Sequence, residues 1–425
     1  MTAVHDHFPH INRTSQRDAA AEQTSARVVS DRAEGEAYVA SVCFKHGPPR
    51  LIGVELEYTV HHVDDPSRPL DPAHLAEALG PHAPRTLSPD SPAQPLPGGS
   101  PLTLEPGAQV EISALPQPSL AELSAVVSAD LRHLTELLAR AGLCLGEHGI
   151  DPHRGPSRVL TTERYAAMER RFAPMGTGGI TMMCSTAGLQ ICLDAGEREH
   201  IAQRWAAAHA LGPVLLALFA NSRRHAGADT GHASARWLAV MGTERARTRP
   251  AMASPDPARD WARRMMDTPL MVLRRPEGPW DAPAGLTFAD WVAGRGAAGV
   301  LDPPTTADLD YHLTTMFTPV RPRGYVEARY LDAQPPDRWL HPVALLAALL
   351  DRPATAHRAL AVCAPVADRW EQAARHGLAV PEIAAAARQV VELGCAELPR
   401  TGLPESTLAE ITDSVRLRLR HAGKE

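Results

Sequence analysis

No apolar run in these 425 residues is long enough to span a bilayer; the best stretch, around residues 211–220, is short and reads as a core helix. No charged start followed by an apolar core opens the chain, so no secretory signal is read there. The six cysteines, Cys43, Cys144, Cys184, Cys192, Cys363 and Cys395, are scattered without a Cys-x-x-Cys pair. That argues against a zinc ribbon or a redox dithiol and for reduced thiols. There is no Gly-x-x-x-x-Gly-Lys-Ser/Thr loop, no Gly-x-Gly-x-x-Gly after a strand and no Gly-x-Ser-x-Gly elbow, so any nucleotide needs another cradle. Charged residues make up 22% and the net charge is only -6, which gives no electrostatic case for nucleic acid or an anionic membrane as partner. These absences point to a soluble cytoplasmic protein that works on small molecules.

What is present is a composition 44% hydrophobic, enough for a large core. Residues 1–33 are polar and aperiodic and read as a disordered tail, in which His5, His7 and His10 are solvated rather than metal-bound. A single catalytic domain is expected over 34–425, with a sheet-containing core over 34–338 and a helical part over 339–425. Residues 52–60 alternate, with Ile52, Val54, Leu56 and Tyr58 on one face and Gly53, Glu55, Glu57 and Thr59 on the other, as a strand does. Short strands are expected at 102–104 and 108–113, around the turn signal Glu105-Pro106-Gly107. Residues 119–141 predict a helix capped by Ser119, and 162–172 another. Residues 143–149 read as a strand, 180–193 as two strand-like pieces, and 197–224 as one long helix. Residues 226–335 look irregular except for a strand at 324–331. After Trp339 three or four helices are expected, broken near Pro353, 377–381 and 402–404. The mixed order favours an α+β fold with an antiparallel sheet.

Glu55 and Glu57, two apart in a strand, point to one side, where a divalent cation such as Mg2+ would relieve their repulsion. A solvated strand face is the plain alternative. Glu105 and Glu111 flank the Gly107 turn, and all four carboxylates share a face if these strands pair. Glu327 adds a fifth, within an arginine cluster of Arg321, Arg323 and Arg329, whose forks suit phosphate. Acidic ligands beside such arginines fit a nucleotide with bridging Mg2+; a surface salt-bridge lattice is the competing reading. The Gly176-Thr177-Gly178-Gly179 turn reads as a connecting loop and Cys184 as a buried structural thiol.

Several stretches, in order, resemble the glutamate–cysteine ligase family of plants and many bacteria, above all its actinobacterial branch serving ergothioneine synthesis. They are G-V-E-L-E at 53–57, L-E-P-G-A-Q-V-E-I-S at 104–113, G-I-D-P-H-R-G-P-S-R at 149–158 and R-Y-A-A-M-E-R-R-F at 164–172. M-M-C-S-T-A-G-L-Q-I-C-L-D at 182–194, F-A-N-S at 219–222 and T-T-M-F-T-P-V-R-P-R-G-Y-V-E-A-R-Y-L-D-A-Q-P at 314–335 follow. The resemblance implies a curved six-stranded antiparallel sheet related to the glutamine synthetase catalytic fold, flanked by helices. It also implies ATP and Mg2+ as cofactors. Carried over by motif, Glu55, Glu57, Glu105, Glu111 and Glu327 look like metal-binding carboxylates, with Gln190 a weaker ligand. Arg236 falls where the α-carboxylate of glutamate is held. Arg329 looks like a phosphate-binding residue, beside Arg321 and Arg323, and Arg164, Tyr165, Met182 and Met183 line the amino-acid pocket. Glu55, Glu327 and Arg329 are the expected catalytic residues. Departures are Arg223 in place of proline after A-N-S, Val240 in place of a tryptophan, and Glu244 in place of aspartate.

The implied activity is ATP-dependent joining of L-glutamate to L-cysteine through a γ-glutamyl phosphate, by a monomer or homodimer. A ligase for another amine, a metal-dependent hydrolase and a non-catalytic binding protein remain as alternatives from the residues alone.

Overall fold

A computed structural model describes residues 26–421. The expected tail lies outside the described residues up to residue 25. The last part of that range is ordered, not tail: Val29 donates to the Pro304 carbonyl, and Asp31 caps a helix over Arg32–Cys43.

Six strands form the central sheet: β1 Ile52–Tyr58, β2 Leu102–Leu104, β3 Val110–Ser113, β4 Gly188–Asp194, β5 Val320–Pro322 and β6 Tyr325–Asp332. Their order is β2-β3-β1-β4-β6-β5 and every neighbouring pair is antiparallel. The expected six-stranded antiparallel sheet is therefore present. The register sets the chemistry, because cross-strand partners share a face. Glu57 pairs with Glu111, and Glu111 with Thr103. Glu55 pairs with Gln190, and Glu327 with Cys192 on one side and Arg321 on the other. On the opposite face Val54, Leu56 and Tyr58 are buried in the main core. There the sheet is backed by helices, among them Leu120–Arg140 against β1 and Gly212–Leu218 against β6. Each such buried side chain contributes roughly 1.5–3 kcal/mol by leaving water.

Several local expectations change. The strand at 52–60 breaks at Thr59, whose carbonyl accepts from Gly146 and whose hydroxyl meets His61 Nε2 at 2.8 Å. Val60–His62 then pairs with Leu143–Leu145 in a separate two-stranded sheet. The first piece of 180–193 is a helix, Gly178–Cys184, packed so tightly on Phe172 that a Cβ at Gly179 would come within 2.2 Å of it. A short apolar run does not by itself separate helix from strand. The long helix at 197–224 divides at Gly212-Pro213 into Ile201–Ala210 and Gly212–Leu218. The irregular stretch 226–335 holds helices at Ala235–Met241, Pro257–Asp267 and Thr306–Leu313, capped by Ser234, Asp256 and Thr305. Those caps are legible signals that composition masked. Five α-helices run from Leu340 to His421, broken at the expected Pro and Gly positions and once more after Cys363. Among the described residues no helix is long and apolar enough to cross a membrane.

Candidate active site

A cavity of about 280 Å3 opens over the carboxylate face of the sheet. Glu55, Glu57, Glu105 and Glu111 line it, with Gln190, Arg164, Tyr165, Met182, Met183, Arg236, Arg321, Arg323 and Arg329. Glu327 lies just beneath, 0% exposed. Residues drawn from six separate stretches of sequence thus meet in one place. Every cation in the wall is an arginine.

Glu105 arrives by a turn and not by a strand. Its amide donates to the Gln109 carbonyl, while Gln109 Oε1 accepts from Gly107 and Gln109 Nε2 donates to the carbonyls of Thr186 and Met183. Gly107 is required there, since a Cβ would fall 2.1 Å from the Cys184 carbonyl oxygen. The turn thereby carries Glu105 to Glu57 and Glu111, and one carboxylate oxygen of each lies within 4.8 Å of the others. Glu57 is further held by the Gly188 amide at 2.6 Å and Gln190 Nε2 at 2.8 Å, and Glu111 accepts from the Thr103 hydroxyl.

The five glutamates therefore divide. Glu55 and Glu327 group with Cys192, a residue the sequence reading left out of the site, their ligand atoms again within 4.8 Å. Cys192 follows Gln190 by two in a strand, which is the signal that could have placed it on this face.

Burial pushes the Glu105 carboxyl up to about 7, helped by the nearby Glu57. Burial also drives Glu111 well above the usual carboxylate range, with Glu55, Glu105 and Glu57 adding repulsion, and raises Glu55 with help from Glu327. Glu327 goes the other way. Its burial favours the neutral acid, yet Arg321, Arg329 and Arg323 outweigh that and hold it down to about 2.

Two residues take roles other than those expected. Gln190 Oε1, the atom that would face a cation, accepts from Arg329 Nη1, so Gln190 bridges Glu57 to Arg329 and is not placed as a ligand. Arg321 spends its fork on Glu327, with Nε at 2.5 Å and Nη2 at 3.1 Å, and a third donor on the Met316 carbonyl. It is committed to the carboxylate and is not free for phosphate. Arg329 remains partly exposed, 3.5 Å from Glu327, and Arg323 has no hydrogen-bond or ion-pair partner for its guanidinium among the described residues.

At the other end Arg236 is 6% exposed and donates Nη2 to the Arg329 carbonyl, leaving Nε and Nη1 without hydrogen-bond partners. Asp332, 3.9 Å away, accepts from the Asn221 amide and the hydroxyls of Ser222 and Ser234, which ties A-N-S and S-x-R to β6. Arg164 donates to the Thr314 hydroxyl and lies over the Tyr311 ring, 5.1 Å from its centroid. Met168, Trp237, Val240, Thr314 and Phe317, absent from the sequence-based set, complete this wall. Trp237 sits beside Arg236 and Thr314 and Phe317 in T-T-M-F, so their motifs pointed to them.

The family model described as "Glutamate-cysteine ligase family 2(GCS2)" matches residues 51–424. The chain is 37% identical over 391 residues to a glutamate–cysteine ligase EgtA of Mycolicibacterium smegmatis, covering 91% of this chain and 87% of that one. It is 39% identical over 380 residues to the protein of that name from Mycobacterium tuberculosis H37Rv, covering 87% and 84%. A solved glutamate–cysteine ligase of Francisella tularensis in complex with AMP aligns at TM-score 0.45 and 14% identity, over 89% of this chain and 82% of that one.

Proposed function

The chain belongs to glutamate–cysteine ligase family 2, and on that premise we propose how its cavity does the work. It is an ATP-dependent ligase that joins the side-chain carboxyl of L-glutamate to the amine of L-cysteine, giving γ-glutamylcysteine. The resemblance of its motifs to the actinobacterial branch assigns that product to ergothioneine synthesis. The observation that carries the reading is the meeting of Glu57, Glu105 and Glu111 in the same cavity as a guanidinium, that of Arg236, with unpartnered donors.

The donor set fits Mg2+. Three carboxylate oxygens within 4.8 Å are hard ligands, and a counter-cation offsets the burial and the added mutual repulsion that lift Glu105 and Glu111. When bound, Mg2+ supplies the positive charge that offsets the phosphate oxygens of ATP. Glu57, Glu105 and Glu111 would hold one ion, and Glu55 and Glu327 would serve a second. Arg329 and Arg323 bind phosphate oxygens, while Arg321 keeps Glu327 ionised and fixed. Nε and Nη1 of Arg236, which lack hydrogen-bond acceptors, donate to the α-carboxylate of glutamate. Arg164, Tyr165, Met182 and Met183 line the amino-acid end.

The side-chain carboxylate of glutamate, so held, attacks the γ-phosphorus of ATP and releases ADP. The resulting γ-glutamyl phosphate has a good leaving group, which a free carboxylate lacks. The amine of cysteine attacks its carbonyl carbon, the phosphate departs with the amine's proton as hydrogen phosphate, and the amide forms. Arg329 and Arg323 lower the barrier by meeting charge where it develops on the transferring group.

All six cysteines are free, which fits a reducing cytoplasm. The assembly we propose is a monomer or a homodimer. The test is ADP release with glutamate plus single amino acids, followed by mass analysis. Cysteine-dependent ADP release with a γ-glutamylcysteine product supports the assignment. Equal stimulation by unrelated amines removes cysteine as acceptor, and product formed without ATP overturns the mechanism.

A further inference from the structure

The two acidic groups under the cavity differ in kind. Glu57, Glu105 and Glu111 offer oxygen alone, whereas Glu55, Cys192 and Glu327 offer oxygen, sulfur and oxygen within 4.8 Å. Cys192 is 5% exposed, and among the described residues nothing hydrogen-bonds its thiol. Its cross-strand partners are Glu327 and Gly53, so its sulfur shares a face with the Glu327 carboxylate. Gly53 places no side chain over it; a Cβ there would come 3.6 Å from Cys192 Cβ, and Gly53 and Cys192 both line the cavity. An unpartnered thiol is thus open to the cavity between two carboxylates.

Charge separates the groups further. Both oxygens of Glu327 are engaged by Arg321, and Arg329 stands 3.5 Å away. Glu55 has no hydrogen-bond or ion-pair partner among the described residues. Each Glu327 oxygen accepts only one bond from Arg321 and keeps a further lone pair, so the second group presents one uncommitted carboxylate, one sulfur and one carboxylate that Arg321 orients. Mg2+ demands hard oxygen ligands and gains little from a thiol. Zinc-class ions bind thiolate strongly and accept three protein ligands with a fourth position open.

We propose that Glu55, Cys192 and Glu327 form a site for a thiophilic divalent cation of the zinc and cadmium class, and that such an ion blocks this end of the cavity. The metal–sulfur bond forms as the thiol proton passes to solvent, with no change of oxidation state. The site stands on its own geometry; only its inhibitory consequence rests on the ligase assignment.

The experiment is a cadmium titration of the full chain, stripped with a chelator and returned to Mg2+, followed by thiolate-to-cadmium absorbance and equilibrium dialysis. Wild type, Cys192→Ser, Glu55→Gln and Cys144→Ser are compared, with circular dichroism as the folding check. The expected result is a thiolate band in wild type and Cys144→Ser, its loss in Cys192→Ser, and at least about tenfold weaker cadmium binding in Cys192→Ser and Glu55→Gln. A band that persists undiminished in Cys192→Ser, or no band in wild type, overturns the proposal. Should Cys192→Ser not fold, Glu55→Gln decides, because it keeps all six thiols: unchanged cadmium affinity there also overturns it. Cadmium bound through Cys192 by a protein that makes no γ-glutamylcysteine would sink the ligase assignment and leave the site. Active enzyme without the band would do the reverse.

Discussion

Arg321 grips Glu327 through both carboxylate oxygens, at 2.5 and 3.1 Å, inside the protein. The pair joins β5 to β6 across directly opposed positions. Arg321→Met leaves a carboxylate that is 0% exposed without its main partner. A loss of about 3–5 kcal/mol in urea unfolding is expected. Combining it with Glu327→Gln should recover part of that loss, because the uncompensated charge is gone. An Arg321→Met protein as stable as wild type would show that the pair contributes nothing to the fold.

Glu105 and Glu111 pull the other way. Each is raised by burial first and by neighbouring carboxylates next. Glu111→Gln should therefore leave metal-free protein as stable as wild type or more so. Mg2+ affinity and turnover should fall by about 10- to 100-fold or more. Thermal melting with and without Mg2+, alongside ADP release, reads both quantities. Wild-type Mg2+ affinity in this variant would remove Glu111 from the ligand set.

Arg236 offers two unpartnered donors to the cavity, and Gly188 is what lets it sit there: a Cβ at Gly188 would lie 2.2 Å from Arg236 Nη2. Charged hydrogen bonds are worth about 1.5–3 kcal/mol, so Arg236→Met should cut kcat/KM for glutamate by roughly 10- to 150-fold. Gly188→Ala should shift the same parameter in the same direction by displacing the guanidinium. The KM for ATP should change far less in both. Steady-state kinetics with each substrate varied in turn checks this, and an effect confined to ATP would contradict the assignment.

His209 and His312 are buried and their pKa values are depressed, to about 4 and about 3, in each case mainly by burial. The unfolded chain takes up a proton near pH 6.5, so between that value and the folded one it binds more protons than the native state. Stability is therefore full above pH 6.5 and is lost as pH falls toward 4. Each histidine adds about 1.4 kcal/mol per pH unit to that slope. Urea unfolding at stepped pH measures it. A His312→Gln variant with an unchanged slope would show that this histidine is not the group being titrated.

Much of this site was legible locally. Alternation over residues 52–58 put Glu55 and Glu57 on one side, and strand geometry alone requires that. Ser119 marked the start of its helix, and Pro and Gly marked the C-terminal breaks. Where the reading failed, local signals were ambiguous. Residues 178–184 are too short for periodicity to distinguish helix from strand, and packing against Phe172 settled the matter. The caps at Ser234, Asp256 and Thr305 were present but hidden in a stretch dominated by Pro, Gly and Arg.

By itself, then, the amino-acid order determined which side chains carry the chemistry, because side-chain direction in a strand repeats every two residues and needs no distant partner. Only the tertiary structure decided how they are grouped. The division of five glutamates into an oxygen triad and a mixed one, the capture of Arg321 by Glu327 and the conversion of Gln190 into a bridge all depend on strand register. Register relates separate strands: Glu57 and its partner Glu111 are 54 positions apart and Glu55 and Gln190 are 135 apart, so no single segment encodes it; only Arg321 and Glu327, six apart in a hairpin, are local. A slip of one residue would turn every one of these groups to the other face.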